Sequence, residues 1–316
     1  MHWRTTIAEN RYLSTAQVAT ALGVGITTVK RWVDEGVLPA HKTAGGHRKL
    51  LYQDVLRLIR SRNLPHNDLS VFPEVTEQKQ VSVQELIDQI SVAVFAGQQE
   101  QIAECLHRAL ESGLSFSQVA DEIISPTMEK VGTGWEKGKI SVMQEHRATQ
   151  AVTASLFQLE KKLERPLSSS IPTACGGAPE TDPTALPSLM AKLLLLDEGW
   201  NAVNLGPHTP VEAYFSAMNE LKPKLIWIAA NHISDHNKLV DDTNEICSEA
   251  ASRGISVIYG GRAFGNKDIQ GRIRFGTYGA GMSELSLHAK RIFKRTKRSS
   301  MGSEMTESPF ESEADS

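Results

Sequence analysis

From Ile171 onward the chain alternates short apolar runs of strand length with segments of helical period, and that rhythm admits few folds. The strand-like runs are Ile171–Ala174, Ala202–Leu205, Leu225–Ala230, Ser256–Tyr259 and a short one near Arg274–Phe275. Helical patterns at Leu189–Asp197, Val211–Leu221, Asn237–Arg253 and Ser283–Lys294 separate them. Such alternation predicts a Rossmann-like parallel sheet covered by helices on both faces. In open sheets of this kind ligands bind beyond the carboxyl ends of the strands. The turn PETDPTALPSLM, residues 179 to 190, lies at such an end.

The preceding region has a different period. Residues 82–165 hold four amphipathic runs, Val83–Gly97, Gln99–Ser112, Phe116–Trp135 and Val142–Leu163, with short breaks between them, which predicts an all-α four-helix bundle. The polar, proline-containing stretch 65–81 reads as a linker, and ERPLSSSIP at 164–172 separates the bundle from an α/β domain at 171–297. Residues 298–316, rich in Ser and Glu, predict a disordered tail. With 40% hydrophobic and 22% charged residues the chain can bury cores, and no apolar run approaches a membrane span, so the expectation is a cytoplasmic protein. Cys105, Cys175 and Cys247 have no zinc or disulfide spacing and read as buried thiols.

The net charge of −3 hides a basic N-terminal segment. Up to residue 65 ten cations stand against four anions, the footprint of a polyanion binder. In YLSTAQVATALGVGITTVKRWVDEG, Ser14 and Gln17 are spaced as a capping box. A turn at Leu22-Gly23-Val24 then leads to a second helix carrying Thr27, Thr28, Lys30 and Arg31 opposite Val29, Trp32 and Val33. That is a helix-turn-helix pattern. HKTAGGHRKL adds a glycine-turned hairpin bearing His41, Lys42, His47, Arg48 and Lys49, all donors for phosphate oxygens. The N-terminal domain, residues 1–64, resembles over about residues 10 to 62 the MerR family of winged helix-turn-helix regulators. The resemblance implies operator DNA as partner, with Thr27, Thr28, Lys30 and Arg31 in the major groove and Arg48 and Lys49 on or beside the backbone.

In the bundle, Trp135 is followed after nine residues by Glu145-His146. Taken singly these read as packing and surface residues. The spacing and the domain order nevertheless resemble the CarH- and LitR-type light-responsive repressors, in which a MerR module, a helical cap and a cobalamin-binding α/β domain follow one another. By that resemblance Trp135, Glu145 and His146 face the upper side of adenosylcobalamin, with His146 able to ligate cobalt, and the protein is a homo-oligomeric repressor. A neutral imidazole suits cobalt, a neighbouring carboxylate can orient it, and an indole can fill space beside a nucleoside.

The lower signature of that family is D/E-x-H-x-x-G after the first strand, a Ser at the end of the third, and Gly-Gly after the fourth; the latter two admit the cofactor's nucleotide tail. Gly260 and Gly261 retain the last part, and Asp182 the start of the first. Thr184 stands at the histidine position and Pro187 at the glycine position, while the third strand ends with Ala229 and Asn231. The local expectation for Thr184 is that it N-caps the following helix. His208 and His232, each just after a strand, are candidate substitute ligands. Two further readings accompany the light-sensing regulator: a regulator of the same architecture that is cobalamin-independent or senses another small molecule, and, from a different class, a cobalamin carrier module of an enzyme. The absent lower histidine and the absence of a separate catalytic domain oppose the enzymatic one.

Overall fold

The computed structural model describes residues 12–42, 48–52, 54–55, 58–59, 83–163 and 171–304. They fall into two compact units, residues 1–86 with 108–115 and residues 87–107 with 116–316.

In the first unit, β1 (Tyr12–Ser14) leads into α1 (Thr15–Leu22), α2 (Ile26–Asp34), β2 (His41–Lys42) and β3 (Arg48–Leu51). The Ser14–Gln17 capping box forms in both directions and starts α1. Gly23, at φ +64, ends that helix in the left-handed region where a side chain would be strained. The strands make an antiparallel sheet in the order β1-β3-β2, so the β2–β3 hairpin is the wing. Val18, Leu22, Val29, Trp32, Leu38 and Leu50 pack into one core that fixes α2 against α1.

Helices follow, in the second unit apart from residues 83–86 and 108–111, which group with the first. They are α3 (Val83–Ala96), α4 (Gln99–Glu111), α5 and α6 (Val142–Leu163), where α5 runs on through Phe116–Gln118, a π-helical turn Val119–Ile124 and Ser125–Glu136. Pro126 explains the π turn: it has no N–H to donate, and just before it Ser125 N reaches back five residues to Ala120 O. The widened turn presents Asp121, which accepts from Met282 N at 2.8 Å and from Ser283 N and Oγ at 2.8 and 2.7 Å. Within the helical layer Ser155 Oγ donates to Gln99 O, and Ser91 and Thr127 share a hydrogen bond.

The alternating region follows as β4 (Thr173–Pro179), α7 (Leu186–Asp197), β5 (Asn201–Thr209), α8 (Val211–Leu221), β6 (Leu225–Ala229), α9 (His236–Ser252), β7 (Ser256–Gly260), α10 (Lys267–Arg272), β8 (Thr277–Gly279) and α11 (Met282–Glu304). All four strand pairings are parallel, in the order β5-β4-β6-β7-β8. The order reverses between β4 and β6, which places the crevice of this doubly wound sheet outside the carboxyl ends of those two strands. Every residue of β6 is buried, as expected of a central parallel strand. Ile226, Ile228 and Ala230 face a core with Val211, Tyr214 and Leu239. Cys105, Cys175 and Cys247 are buried thiols, and burial pushes those of Cys175 and Cys247 up to about 12, which makes these two inert.

Several sequence expectations shift. The edge strand is Thr277–Gly279 rather than Arg274–Phe275, because Phe275 is exposed and Gly276 turns at φ +92 before pairing begins. Strand β4 extends through the glycine pair to Pro179, since neighbours on both sides hold it. The last helix continues to Glu304, past the expected boundary at 297, because extending a helix whose first turns are packed costs little per residue. Residues 305–316 and the 65–81 linker lie outside the described residues.

Glu198, beside α7, is nearly buried; its Oε2 has no hydrogen-bond partner among the described residues, while Ser286 Oγ donates to Oε1 and Lys290 Nζ lies 3.1 Å from it. Burial raises its carboxyl above the usual 4.5, opposed by Ser286 and Lys290. A raised folded-state value means that its stabilising contribution is complete below 4.5 and is lost as pH rises through the folded value. Glu198→Gln keeps an acceptor for Ser286 and removes the buried charge. The variant is therefore expected to gain on the wild type as pH rises above 4.5 and to melt higher at pH 7; urea unfolding across pH 4 to 8 checks this, and an unchanged pH profile would contradict it.

Candidate nucleic-acid interface and sensor edge

Helix α2 is amphipathic by construction. Val29 and Trp32 are buried, while Thr27, Lys30 and Arg31 are exposed and Thr28 is half-exposed on the outer face. Gly25 is the N-cap, so no side chain occludes the first turn, where Thr27 and Thr28 lie. Arg31 has a 3.8 Å contact with Glu35, both well exposed, and such a pair is too weak to hold the guanidinium away from a phosphate. Arg48 is placed differently from a free phosphate donor: its Nη2 donates to Asp34 Oδ1 at 2.5 Å, tying wing strand β3 to the end of α2. Lys49 is half-exposed on the same strand. His41 and Lys42 form β2, and His47 lies outside the described residues.

In the second unit, the helical candidates lie at the end of α5 and the start of α6. Trp135 is 44% exposed in the last turn of α5. Glu145 and His146 sit in the first turns of α6, with His146 Nε2 3.5 Å from Glu145 Oε2 and the imidazole exposed. Glu145 Oε1 also accepts from Thr149 Oγ1 at 2.9 Å, which orients the carboxylate. Next to Trp135, Glu136 accepts from Arg262 Nη2 at 3.3 Å. Since Arg262 follows β7, the end of α5 meets the carboxyl edge of the sheet.

That edge is organised around Asp182, which has no exposed surface. Its Oδ1 accepts from Thr184 N at 2.8 Å and Thr184 Oγ1 at 2.6 Å, and its Oδ2 accepts from Asn231 N at 2.5 Å and His232 N at 3.3 Å. The loop after β4 is thereby joined to the loop after β6, across the crevice. Thr184 is consequently not the helix cap. The N-cap of α7 is Ala185, with no side-chain bond, and Pro187 sits in the first turn where its missing N–H is harmless.

The histidines nearby are outward-facing. His208, at φ +51, is exposed, with Nδ1 2.8 Å from Glu180 O and its backbone N donating to Asp182 O. His232 is exposed as well. Gly261 has φ +99, and a Cβ there would lie 2.5 Å from Ala230 O and 2.7 Å from Asn231 Oδ1. Asn231 Oδ1 in turn accepts from Arg262 N at 2.8 Å. A Cβ on Gly260 would meet Gly279 O at 2.5 Å. The glycine pair is thus closely approached by the chain's own backbone.

Beneath the edge lies a feature that sequence reading missed. Trp227, in the middle of β6 and 2% exposed, pairs in register with Gly176 of β4, and its ring lies across that glycine: a Cβ on Gly176 would be 2.5 Å from Trp227 Cγ. Trp227 Nε1 donates to Ser188 Oγ of α7 at 2.9 Å, Ser188 Oγ donates to Asn204 Oδ1 of β5 at 2.7 Å, and Gly206 N donates to the same oxygen at 3.0 Å. The available signal was the buried glycine pair in TACGGAP, since glycine inside a central strand marks a close approach by something large.

Two segments of the chain match known families. The helix-turn-helix domain family matches residues 12–63, and the B12 binding domain family matches residues 86–160. Each match covers less than half of the chain, and the five-stranded parallel sheet follows the second of them. The HTH-type transcriptional repressor CarH of Myxococcus xanthus is 25% identical over 264 residues, 76% of this chain and 86% of that protein. Trimethylamine corrinoid protein 1 of Methanosarcina mazei is 24% identical over 149 residues, 46% of this chain and 69% of that protein. Among solved structures, the monomethylamine corrinoid protein of Methanosarcina barkeri aligns with a TM-score of 0.54 at 18% identity, over 67% of this chain and all of that one, a likeness of fold. No helix among the described residues is long and apolar enough to cross a membrane.

Cobalamin is the cofactor these likenesses imply, and the two sides of the site answer differently. On the helical side, an exposed imidazole with a neighbouring oriented carboxylate is a suitable donor set. On the sheet side the residues do not fit: Thr184 is engaged by Asp182, the glycine pair is approached by its own loop, and Trp227 occupies the space over Gly176.

Asp182→Ala leaves three backbone N–H groups and one hydroxyl without their acceptor in a buried edge. A loss of stability on the order of 3 kcal/mol is expected in urea unfolding. Asp182→Asn should lose less, and equal losses would show that the carboxylate's two-sided bridge is not what holds the edge.

Proposed function

We propose that this chain is a DNA-binding transcriptional regulator, a repressor by its likeness to CarH, that acts as a homo-oligomer on operator DNA in the cytoplasm and is not itself an enzyme. The observation that carries the reading is the outer face of α2, where Thr27, Lys30 and Arg31 are exposed beside half-exposed Thr28 and above buried Val29 and Trp32, on a chain that also matches the B12 binding domain. A helix so fixed can enter the major groove by its first turns, with wing residue Lys49 on the flanking backbone. Arg48 serves this surface by holding the wing to Asp34, and reaches phosphate only at the cost of that bond.

The second unit is the sensor. A ligand of the corrinoid class is met from the helical side by Trp135, Glu145 and His146, and light acting on adenosylcobalamin is the signal that the CarH and LitR resemblance suggests. A second reading keeps the regulator but makes the sensor independent of cobalamin, or gives it another small molecule. The latched sheet edge favours it, because His208 Nδ1 lies against Glu180 O and His208 and His232 are both exposed.

Fluorescence anisotropy on operator and mixed-sequence duplexes over a range of salt tests DNA binding. Lys30→Ala is expected to reduce the slope of log K against log salt by about 1 without changing the melting temperature. Asp34→Ala should weaken binding by loosening the wing. Salt-independent affinity, or no DNA affinity in the folded full chain, would refute the regulator reading.

A further inference from the structure

We infer that the sheet side of the sensor is closed by the chain's own Trp227, which occupies the place a corrinoid's nucleotide tail would need, so that a corrinoid is accepted with its tail outside and with no ligand from the protein below. The inference rests on the corrinoid-sensing reading for its ligand, but its geometry stands apart from it.

Residues 225, 227 and 229 share one face of β6, and this is the face under α7, because Trp227 Nε1 reaches Ser188. The opposite face, with Ile226 and Ile228, belongs to the other core. A body inserted from the carboxyl edge between the sheet and α7 must pass Ala229 and lie over Gly176, which has no side chain in its way. The indole lies there instead: a Cβ on Gly176 would meet its Cδ2 at 2.4 Å, beside the Trp227 carbonyl oxygen at 2.1 Å. Trp227 is not merely a large apolar filler. Its N–H, the Ser188 hydroxyl and the Asn204 amide oxygen form a buried chain that crosses from β6 through α7 to β5, so removing any member strands a partner in a dry site. The mouth of the same space is crossed by the Asp182 bonds to Asn231 and His232. Opening it would therefore require breaking two sets of buried hydrogen bonds and moving one indole.

The test uses the purified full chain, in the dark, with hydroxocobalamin and with aquocobinamide, which has the same corrin but no nucleotide tail. Wild type is expected to bind the two within about threefold of each other. Bound cobalamin is expected to keep the absorption spectrum of a corrin whose own benzimidazole remains on cobalt. Trp227→Ala, checked for folding by its melting curve, is expected to gain at least about tenfold for cobalamin over cobinamide. Trp227→Phe, which keeps a smaller aromatic ring in the space and leaves Ser188 without the indole N–H, should stay nearer to wild type than Trp227→Ala. A cobalamin preference of about tenfold or more in wild type, or a spectrum showing the benzimidazole displaced, would overturn the inference. If wild type binds neither corrinoid while Trp227→Ala takes up cobalamin, closure is upheld and corrinoid sensing by the natural chain fails. Uptake by neither protein counts against both.

Discussion

One buried carboxylate organises the ligand-facing edge of this molecule. Asp182 sits at the point where the strand order reverses, the place at which an open parallel sheet normally leaves a crevice. By accepting four hydrogen bonds from two loops it holds the carboxyl ends of β4 and β6 together. The position of α7 follows from it, because Thr184 is bound to Asp182 and the helix starts uncapped two residues later. So does the path of the chain after β7, where Asn231, fixed by its backbone bond to Asp182, accepts from Arg262 and abuts Gly261. Arg262 then reaches Glu136 at the end of α5, so the helical side is referred to the same anchor.

This arrangement separates two properties that the likeness to corrinoid proteins would join. The helical side carries Trp135 and His146 exposed beside half-buried Glu145. The sheet side is filled from within by Trp227 over Gly176 and braced by Ser188 and Asn204. The helix-turn-helix unit has its own core and its own capping box, so the physical case for DNA binding does not depend on how the sensor edge is resolved.

Long amphipathic runs were legible in the sequence to the residue. Val142–Leu163 and Val211–Leu221 appear with the expected bounds because a sustained 3.6-residue period leaves one way to bury the apolar stripe. Ser14 with Gln17 was legible for the same local reason. What escaped were choices decided by distant partners. Thr184 has the chemistry of a helix cap, but a buried acceptor two residues away takes its hydroxyl. Arg48 has the chemistry of a phosphate donor, but Asp34, 14 residues away, meets its guanidinium. Trp227 read as one apolar letter in LIWIAA, since its role exists only once β4 supplies a glycine in register. That position 184 holds no histidine is plain in the sequence, whereas the filling of the space over Gly176 is not.

The claim that the sheet side is closed is tested most directly by hydrogen exchange of the Trp227 indole N–H in the full chain, assigned by its absence in Trp227→Phe and followed with and without added cobalamin. The account predicts that this proton exchanges slowly, as a buried donor to Ser188 should, and that saturating cobalamin leaves both its rate and its chemical shift unchanged. Fast exchange, or a shift and loss of protection on adding cobalamin, would mean that the space over Gly176 is open to a ligand and would contradict it.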